Sequence, residues 1–337
     1  MKKILIALPI LAFLLSACSN ELNLVAPAKE IPVVYGFLSR SDSAQYLRIE
    51  KAFIDPEKSA LTLAQDPNSL YFEGISATLQ EVGTTKTYPL QRVDGNLEGY
   101  KRTSGTFATA PNYLYKIKNS QIDLKENASY KLVIRRKDDS VLSEVVTQIT
   151  PDIKLNEGLT FTPDFSVNGA IKIGWKQSNN QTAKLYDIIL HVNVEERDPA
   201  SSTWTLNKLP WRIVSNFVPG TIDIQGTSNV SYLNKEANGF FVFLANNLDK
   251  NKPVLRRIKD LDIEIISGGK DLYEYINIGS INSGITGTEV LPTYTNVKDG
   301  FGVLSSRNRL YYKGAILSGQ SLDSLKNGRF TKAFKFQ

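Results

Sequence analysis

The sequence predicts a mainly β protein: an N-terminal immunoglobulin-like β-sandwich followed by a second, fibronectin-like or mixed α+β domain. Three observations point there. Strand-length runs in which apolar and polar residues alternate recur along most of the chain. Turn-rich pieces such as Asp94-Gly95-Asn96 and Lys137-Asp138-Asp139-Ser140 separate them. The length left once an export signal is removed corresponds to about two domains of ~150 residues.

That signal occupies residues 1–17. Lys2 and Lys3 precede an apolar run from Ile4 to Leu15, which stops at Ser16 and Ala17 just before Cys18. A dozen apolar residues is too short for a bilayer core that needs roughly 20, so the run reads as an export peptide and not as a membrane span. The segment resembles bacterial lipoprotein signals, which implies cleavage before Cys18 and acyl chains, palmitate among them, on the new N-terminal residue. Removing 17 of the 337 residues leaves 320, and losing Lys2 and Lys3 lowers the net charge from +6 to +4. Residues 18–30, broken by Pro27, read as a tether.

Composition narrows the chemistry. With Cys18, the single cysteine, committed to lipid, no thiol is left for a disulfide, a metal or a nucleophile. His191 is the sole histidine, so a Cys/His zinc site is excluded and any Ser-His-Asp arrangement depends on one residue. The basic residues are interspersed with acids, and the cluster Arg135-Arg136-Lys137 runs straight into Asp138-Asp139, which argues against nucleic acid. No catalytic residue, metal or cofactor is assigned.

The first domain is expected over residues 31–150. Its strands include 32–38, 45–53, 75–82 and 129–135; Leu47 and Ile49 take the side opposite Tyr46, Arg48 and Glu50. Residues 59–71 hold one or two helical turns cut by Pro67. Thr150-Pro151-Asp152 and a polar stretch with Gly158 place the boundary at 150–160. In the second domain, 151–337, Ile171, Ile173 and Trp175 share one face of a strand, as do Tyr186, Ile188, Leu190, Val192 and Val194 of the next. The two runs look like paired strands of a fibronectin-type module with an inward tryptophan. His191 has the opposite parity and should face away from the core. A covering helix is expected near 234–248, where Phe240, Phe241, Leu244 and Leu248 fall at helical spacing. An alternating strand follows at 258–266, then short helices at 271–276 and 322–325 and a last strand at 330–336.

Residues 294–307, Tyr-Thr-Asn-Val-Lys-Asp-Gly-Phe-Gly-Val-Leu-Ser-Ser-Arg, resemble the Asn-Ile-x-Asn-Gly-x-Gly-Ile-Phe signature of outer-membrane lipoproteins of Bacteroidota, grouped as domain of unknown function forty-two forty-nine. The opening Val34-Tyr35-Gly36-Phe37-Leu38 is similar too, whereas Leu304 stands in place of the usual aromatic and Asp299 in place of Asn. The resemblance implies an outer-membrane location beside a large β-barrel and carries over no catalytic residue.

Paired acids, Asp138/Asp139 and Glu195/Glu196, read as solvated charge, and the glycines of Gly300-Phe301-Gly302 as close packing or left-handed turns. Trp204, Trp211 and Phe217 are the candidates for glycan stacking or partner contact. Triplets at Asp42-Ser43-Ala44, Asp139-Ser140-Val141 and Asp323-Ser324-Leu325 resemble O-glycosylation acceptors. The functional expectation is a non-enzymatic, lipid-anchored outer-membrane protein serving as accessory subunit of a β-barrel complex in uptake or envelope assembly, on a leaflet the sequence leaves open. The alternative is a glycan-binding lipoprotein.

Overall fold

A computed structural model describes residues 30–52, 58–156, 164–165, 169–177, 182–224, 227–281 and 293–337. Cys18, the export signal and nearly all of the tether lie outside the described residues, so the structure does not bear on lipidation.

The first sandwich is built from β1 (Ile31–Ser39), β2 (Ala44–Ala52), β3 (Ser76–Glu81), β4 (Thr87–Asp94), β5 (Tyr113–Lys118), β6 (Ser129–Arg135) and β7 (Val141–Gln148). Strand order β1-β2-β5-β4 forms one layer and β3-β6-β7 the other. This is the A-B-E-D and C-F-G arrangement of an immunoglobulin-like sandwich. β4 joins the layers: residues 87–90 pair with β3 and residues 91–94 with β5. Tyr130, near the start of β6, donates its hydroxyl to the Asp123 carbonyl at 2.7 Å and accepts from the Lys125 amide at 3.2 Å. That is the tyrosine corner of such folds. The alternation read from the sequence of β2 holds, since Leu47 and Ile49 enter the core with Val34, Leu79, Leu132 and Val145.

Between β2 and β3 lie the short helices α1 (Ala60–Gln65) and α2 (Pro67–Leu70). Pro67 sits at the first helical position of α2, where its missing N–H leaves nothing unpaired. Both pack on the β4–β5 connection, with the Ala108 amide donating to the Ala64 carbonyl at 2.9 Å and Tyr71 Oη to the Pro111 carbonyl at 3.0 Å.

The second body has β8 (Lys154–Leu155), β9 (Ala170–Lys176), β10 (Ala183–Arg197), β11 (Thr205–Phe217), β12 (Gly220–Ile224), β13 (Thr227–Glu236), β14 (Leu255–Gly269) and β15 (Phe301–Ala315). One layer runs β12-β13-β9-β8, the other β11-β10-β14-β15. The two strands that look like a pair in the sequence, β9 and β10, belong to different layers and meet face to face, with the Trp175 and Tyr186 rings 4.9 Å apart inside the core. Tyr186, Ile188, Leu190, Val192 and Val194 are all buried there. Burying such side chains contributes about 1.5–3 kcal/mol each.

α3 (Asn238–Asn247) covers this core through Phe240, Phe241 and Leu244. It starts later than the spacing suggests because residues 234–236 stay in β13, where Lys235 and Glu236 pair with Ile171 and Ala170. α4 (Lys270–Ile281) continues directly from β14, and α5 (Gly319–Asn327) is capped by Ser318, whose hydroxyl accepts from the Ser321 amide. The strand expected at 330–336 does not form. Those residues make a 3-10 turn, Lys332–Phe334, which closes on Arg256.

The largest departure concerns the tail. β15 runs parallel to β1 over residues 301–307 and then antiparallel to β14 over residues 307–315. Val297 and Leu304 belong to the first core, although they follow the second domain in sequence. A first domain confined to 31–150 would lack them. The turn before β15 is held by Asn296, whose side chain donates to the Leu304 carbonyl at 2.7 Å and accepts from the Leu304 amide at 3.1 Å.

Gly302 adopts φ +98°, and a Cβ there would stand 2.0 Å from the Val34 carbonyl oxygen. Gly314 also has positive φ (+82°) but faces open space. Gly302→Ala should therefore cost at least about 3 kcal/mol or abolish folding, from backbone clash added to strain. Gly314→Ala should cost only about 1 kcal/mol. Urea unfolding of both variants measures the difference, and equal losses would contradict the role given to the β1–β15 approach.

Candidate functional site

The chemistry-bearing residues converge on the outer face of the β11-β10-β14-β15 layer, because period two sends one set of side chains inward and the other out. On β10 the outward set is Asp187, His191, Asn193 and Glu195; on β14 it is Asp260, Asp262 and Glu264. Register places His191 beside Asp262 and Asn193 beside Asp260.

His191 takes the side opposite the core, as its parity predicts, and its Nε2 lies 2.7 Å from Glu264. Arg309 approaches the other oxygen of the same carboxylate at 3.1 Å. Asp262 receives Lys208 at 3.0 Å and the Tyr311 hydroxyl at 2.8 Å, and Lys208 also contacts Tyr311. Asn193 donates to Asp260, Arg257 to Glu195 at 2.6 Å, and Arg212 to Asp187. Burial works against ionisation of Asp262, yet hydrogen bonds from Lys208, Tyr311 and Asn193 outweigh it and hold the carboxyl at about 2. Lys208 is pushed up by its bonds to Tyr311 and Asp262, and Tyr311 is pushed up chiefly by burial.

Beyond Arg309 the band reaches a polar crevice of about 440 Å³ between the two bodies, lined by Arg40, Asn119, Asp123, Asp152 and Asn308 among others. Its charges are balanced internally, with Arg40 2.9 Å from Asp152. Among the described residues no group of three or more His, Cys, Asp or Glu is placed to hold a metal ion.

Glu195 and Glu196 are not solvated loop charge. Both lie within β10 and are largely buried, Glu195 under Arg257 and Glu196 against Arg256 at 2.8 Å, with Lys252 as a second partner of Glu196. Arg256 is fully buried and also donates to the carbonyls of Phe334 and Asp249. Burial opposes ionisation of Glu196, and the two cations overcome it, lowering its pKa. Asp138 and Asp139 do sit in an exposed turn.

The three aromatic candidates are not brought onto one surface. Trp204 is half-buried between the guanidiniums of Arg257 and Arg197, 4.3 and 5.0 Å from its ring. Trp211 points the other way, stacking on Phe243 at 5.6 Å and lying over Gly239 of α3. Phe217 packs on the same core. Sequence reasoning missed Asp262, Glu264, Lys208, Tyr311 and Arg309. The signal for two of them was present in the alternation Asp260, Asp262, Glu264; Lys208, Tyr311 and Arg309 come from strands brought alongside by pairing alone.

No protein-family model matches the chain, and no characterised protein matches it in sequence. Among solved structures, the crystal structure of chicken CNTN1 FN1-FN3 domains is similar over 70% of this chain and 63% of that one, at 7% identity and a TM-score of 0.21. This chain thus spans less than two thirds of that protein's length. So loose a likeness adds nothing to the strand order, on which the assignment of an immunoglobulin-like sandwich rests.

Two outcomes are expected of the charged pairs. The depressed pKa of Asp262 means its carboxylate stabilises the fold fully above the ordinary value near 3.8, and that the contribution fades as pH falls to about 2. Asp262→Asn should remove about 2 kcal/mol at pH 7 and flatten the acid limb of stability between about pH 4 and 2. Arg256→Ala, which leaves the buried Glu196 with only the half-exposed Lys252, should cost about 3–5 kcal/mol, while Arg256→Met with Glu196→Leu should recover most of it. Denaturant titrations across pH measure both.

Proposed function

We propose that the chain is a lipid-anchored, non-enzymatic accessory subunit of an outer-membrane β-barrel complex. Cys18 would carry the anchor. Each buried methylene of an acyl chain contributes about 0.8 kcal/mol, so several chains hold firmly where one would not. The observation that carries the reading is the state of the outer sheet face. Its ionisable side chains, His191, Glu264, Arg309, Asp262, Lys208 and Tyr311, are engaged by opposite partners on neighbouring strands, which fixes them as a rigid pattern of charge. Such a pattern favours recognition over proton transfer, because moving a proton within it would break the charge-assisted bonds that hold each group to its partner.

Beside that face, β11 ends the eleven-stranded sheet and pairs on one side only among the described residues, with β10. Pro210 at its centre and Lys208 and Arg212 around it guard the edge against self-pairing. Leu206, half-exposed on the same strand, offers an apolar contact. A partner of complementary charge would meet this edge.

Purification of the tagged protein from detergent-solubilised membranes tests the reading. A barrel protein should accompany it in stoichiometric amount, and Leu206→Asp should reduce that recovery at least about ten-fold with the melting temperature unchanged. Cys18→Ala should move the protein to the soluble fraction. A protein that is solitary in every detergent, or that stays membrane-bound without Cys18, overturns the proposal.

A further inference from the structure

The exposed aromatic residues are distributed unevenly. Of the six described Tyr and Phe side chains classed as exposed, five lie on one side of the first sandwich: Tyr35 (39%), Tyr100 (52%), Phe107 (42%), Tyr275 (37%) and Phe301 (48%). The sixth, Tyr312 (37%), belongs to the second body. Tyr35 and Phe301 share the outer side of the β1–β15 pair, since Val33 is in register with Phe301 and Tyr35 with Val303. Tyr275 comes from α4 and meets Tyr35 edge-on, with ring centroids 6.3 Å apart. Tyr100 lies 4.6 Å from the ring of Tyr46, which is in register with Phe37 on that same side. Phe107 is covered by the guanidinium of Arg102, which reaches across to Glu50 on β2. Arg48, also bound to Glu50, and Lys116, bound to Glu98, complete the surface.

We infer that this outer face of the β15-β1-β2-β5 layer rests on the lipid surface itself. Two things select lipid over another occupant. The first is where the chain enters: β1, which begins at Ile31, is an inner strand of this very layer, flanked by β15 and β2, and Glu30 just before it pairs with Arg136 of the β6–β7 turn at 3.3 Å. The twelve residues from Ser19 to Glu30 span at most about 40 Å even when fully extended, which keeps the face close to any anchor on Cys18. The second is composition. Tyr and Phe with Arg and Lys stems are the side chains that settle at headgroup depth, apolar ring inward and polar tip in water. The cations on this face are held by Glu50 and Glu98, so its charge is nearly balanced and attraction to anionic lipid is not the main term. Apposition then persists on zwitterionic lipid and in high salt. This inference rests on the lipid-anchored reading above.

Tyrosine iodination followed by peptide mass spectrometry tests it with the whole chain. The anchored protein on phosphatidylcholine vesicles is compared with the Cys18→Ser chain in solution, and vesicle flotation reports anchoring separately. If the native protein carries no acyl chain, a maleimide phospholipid coupled to Cys18 supplies the tether, so that the face is examined either way. Tyr35, Tyr100 and Tyr275 should be protected at least about three-fold on vesicles, in 0.5 M salt as at low salt, while Tyr312, as exposed as Tyr275 in the free chain, reacts unchanged. Phe107→Asp with Phe301→Asp should abolish the protection while flotation continues. Equal protection of all four tyrosines, or none, overturns the inference. So does a face that iodinates freely on vesicles yet is shielded in the complex isolated from membranes, since its occupant is then a protein.

Discussion

One backbone contact governs the rest of the molecule: the approach of β15 to β1, possible only because Gly302 has no Cβ to strike the Val34 carbonyl. Through it a single strand serves two cores. Leu304 is buried among the residues of the first sandwich, and Leu310 and Ala315 of the same strand pack on the second core. Side-chain bonds reinforce the joint: Ser306 Oγ donates to the Gln148 carbonyl at 2.6 Å and accepts from the Thr150 amide, and Thr147 Oγ1 donates to Asp271 at the start of α4 at 2.8 Å. The two bodies are therefore not beads on a string. A first domain synthesised early waits for residues near 300 before its sheet is complete, and such non-local pairing makes for slow folding.

How much of this the sequence reveals depends on whether the information is local. Strand parity is local, so Leu47 and Ile49 on β2 and the five inward residues of β10 were legible, and with them the outward direction of His191. Tyr130 reports its corner only when the carbonyl of Asp123 is brought beside it. β4, β5 and β11–β13 are not legible because their apolar and polar residues alternate weakly, as in Tyr113–Lys118 and Thr205–Phe217, and they owe their form to neighbours on the sheet. The 330–336 segment alternates like a strand, yet the buried Arg256 guanidinium claims the Phe334 carbonyl and winds the chain into a turn. Within the stretch 294–307, Asn296, Gly300 and Gly302 are what the approach of β15 to β1 requires.

The paired acids illustrate how context reverses a reading. Neighbouring glutamates at 195 and 196 suggest solvent, but alternation sends them to opposite sides of β10, each to its own arginine. Glu196 goes inward to Arg256, where desolvation makes the pair costly to break without making it a large net source of stability. Glu195 goes outward to Arg257, beneath Trp204. The ring of Trp204 is thereby occupied by protein cations, as Trp211 is by α3, and the aromatic span near 204–217 is architecture before it is surface.

Because the bodies share a strand, the two surfaces singled out above are fixed relative to each other. The aromatic face belongs to the layer that continues, strand by strand, through β15, β14 and β10 to β11, which pairs on one side only among the described residues. A face resting on lipid would thus set the height and direction at which β11 meets a neighbour. A flexible linker between the bodies would leave that edge free to sample many orientations, and each contact would then bear the entropy of ordering it. The continuous sheet removes most of that cost beforehand, which is what threading the last long strand back into the first domain gives to any contact made at that edge.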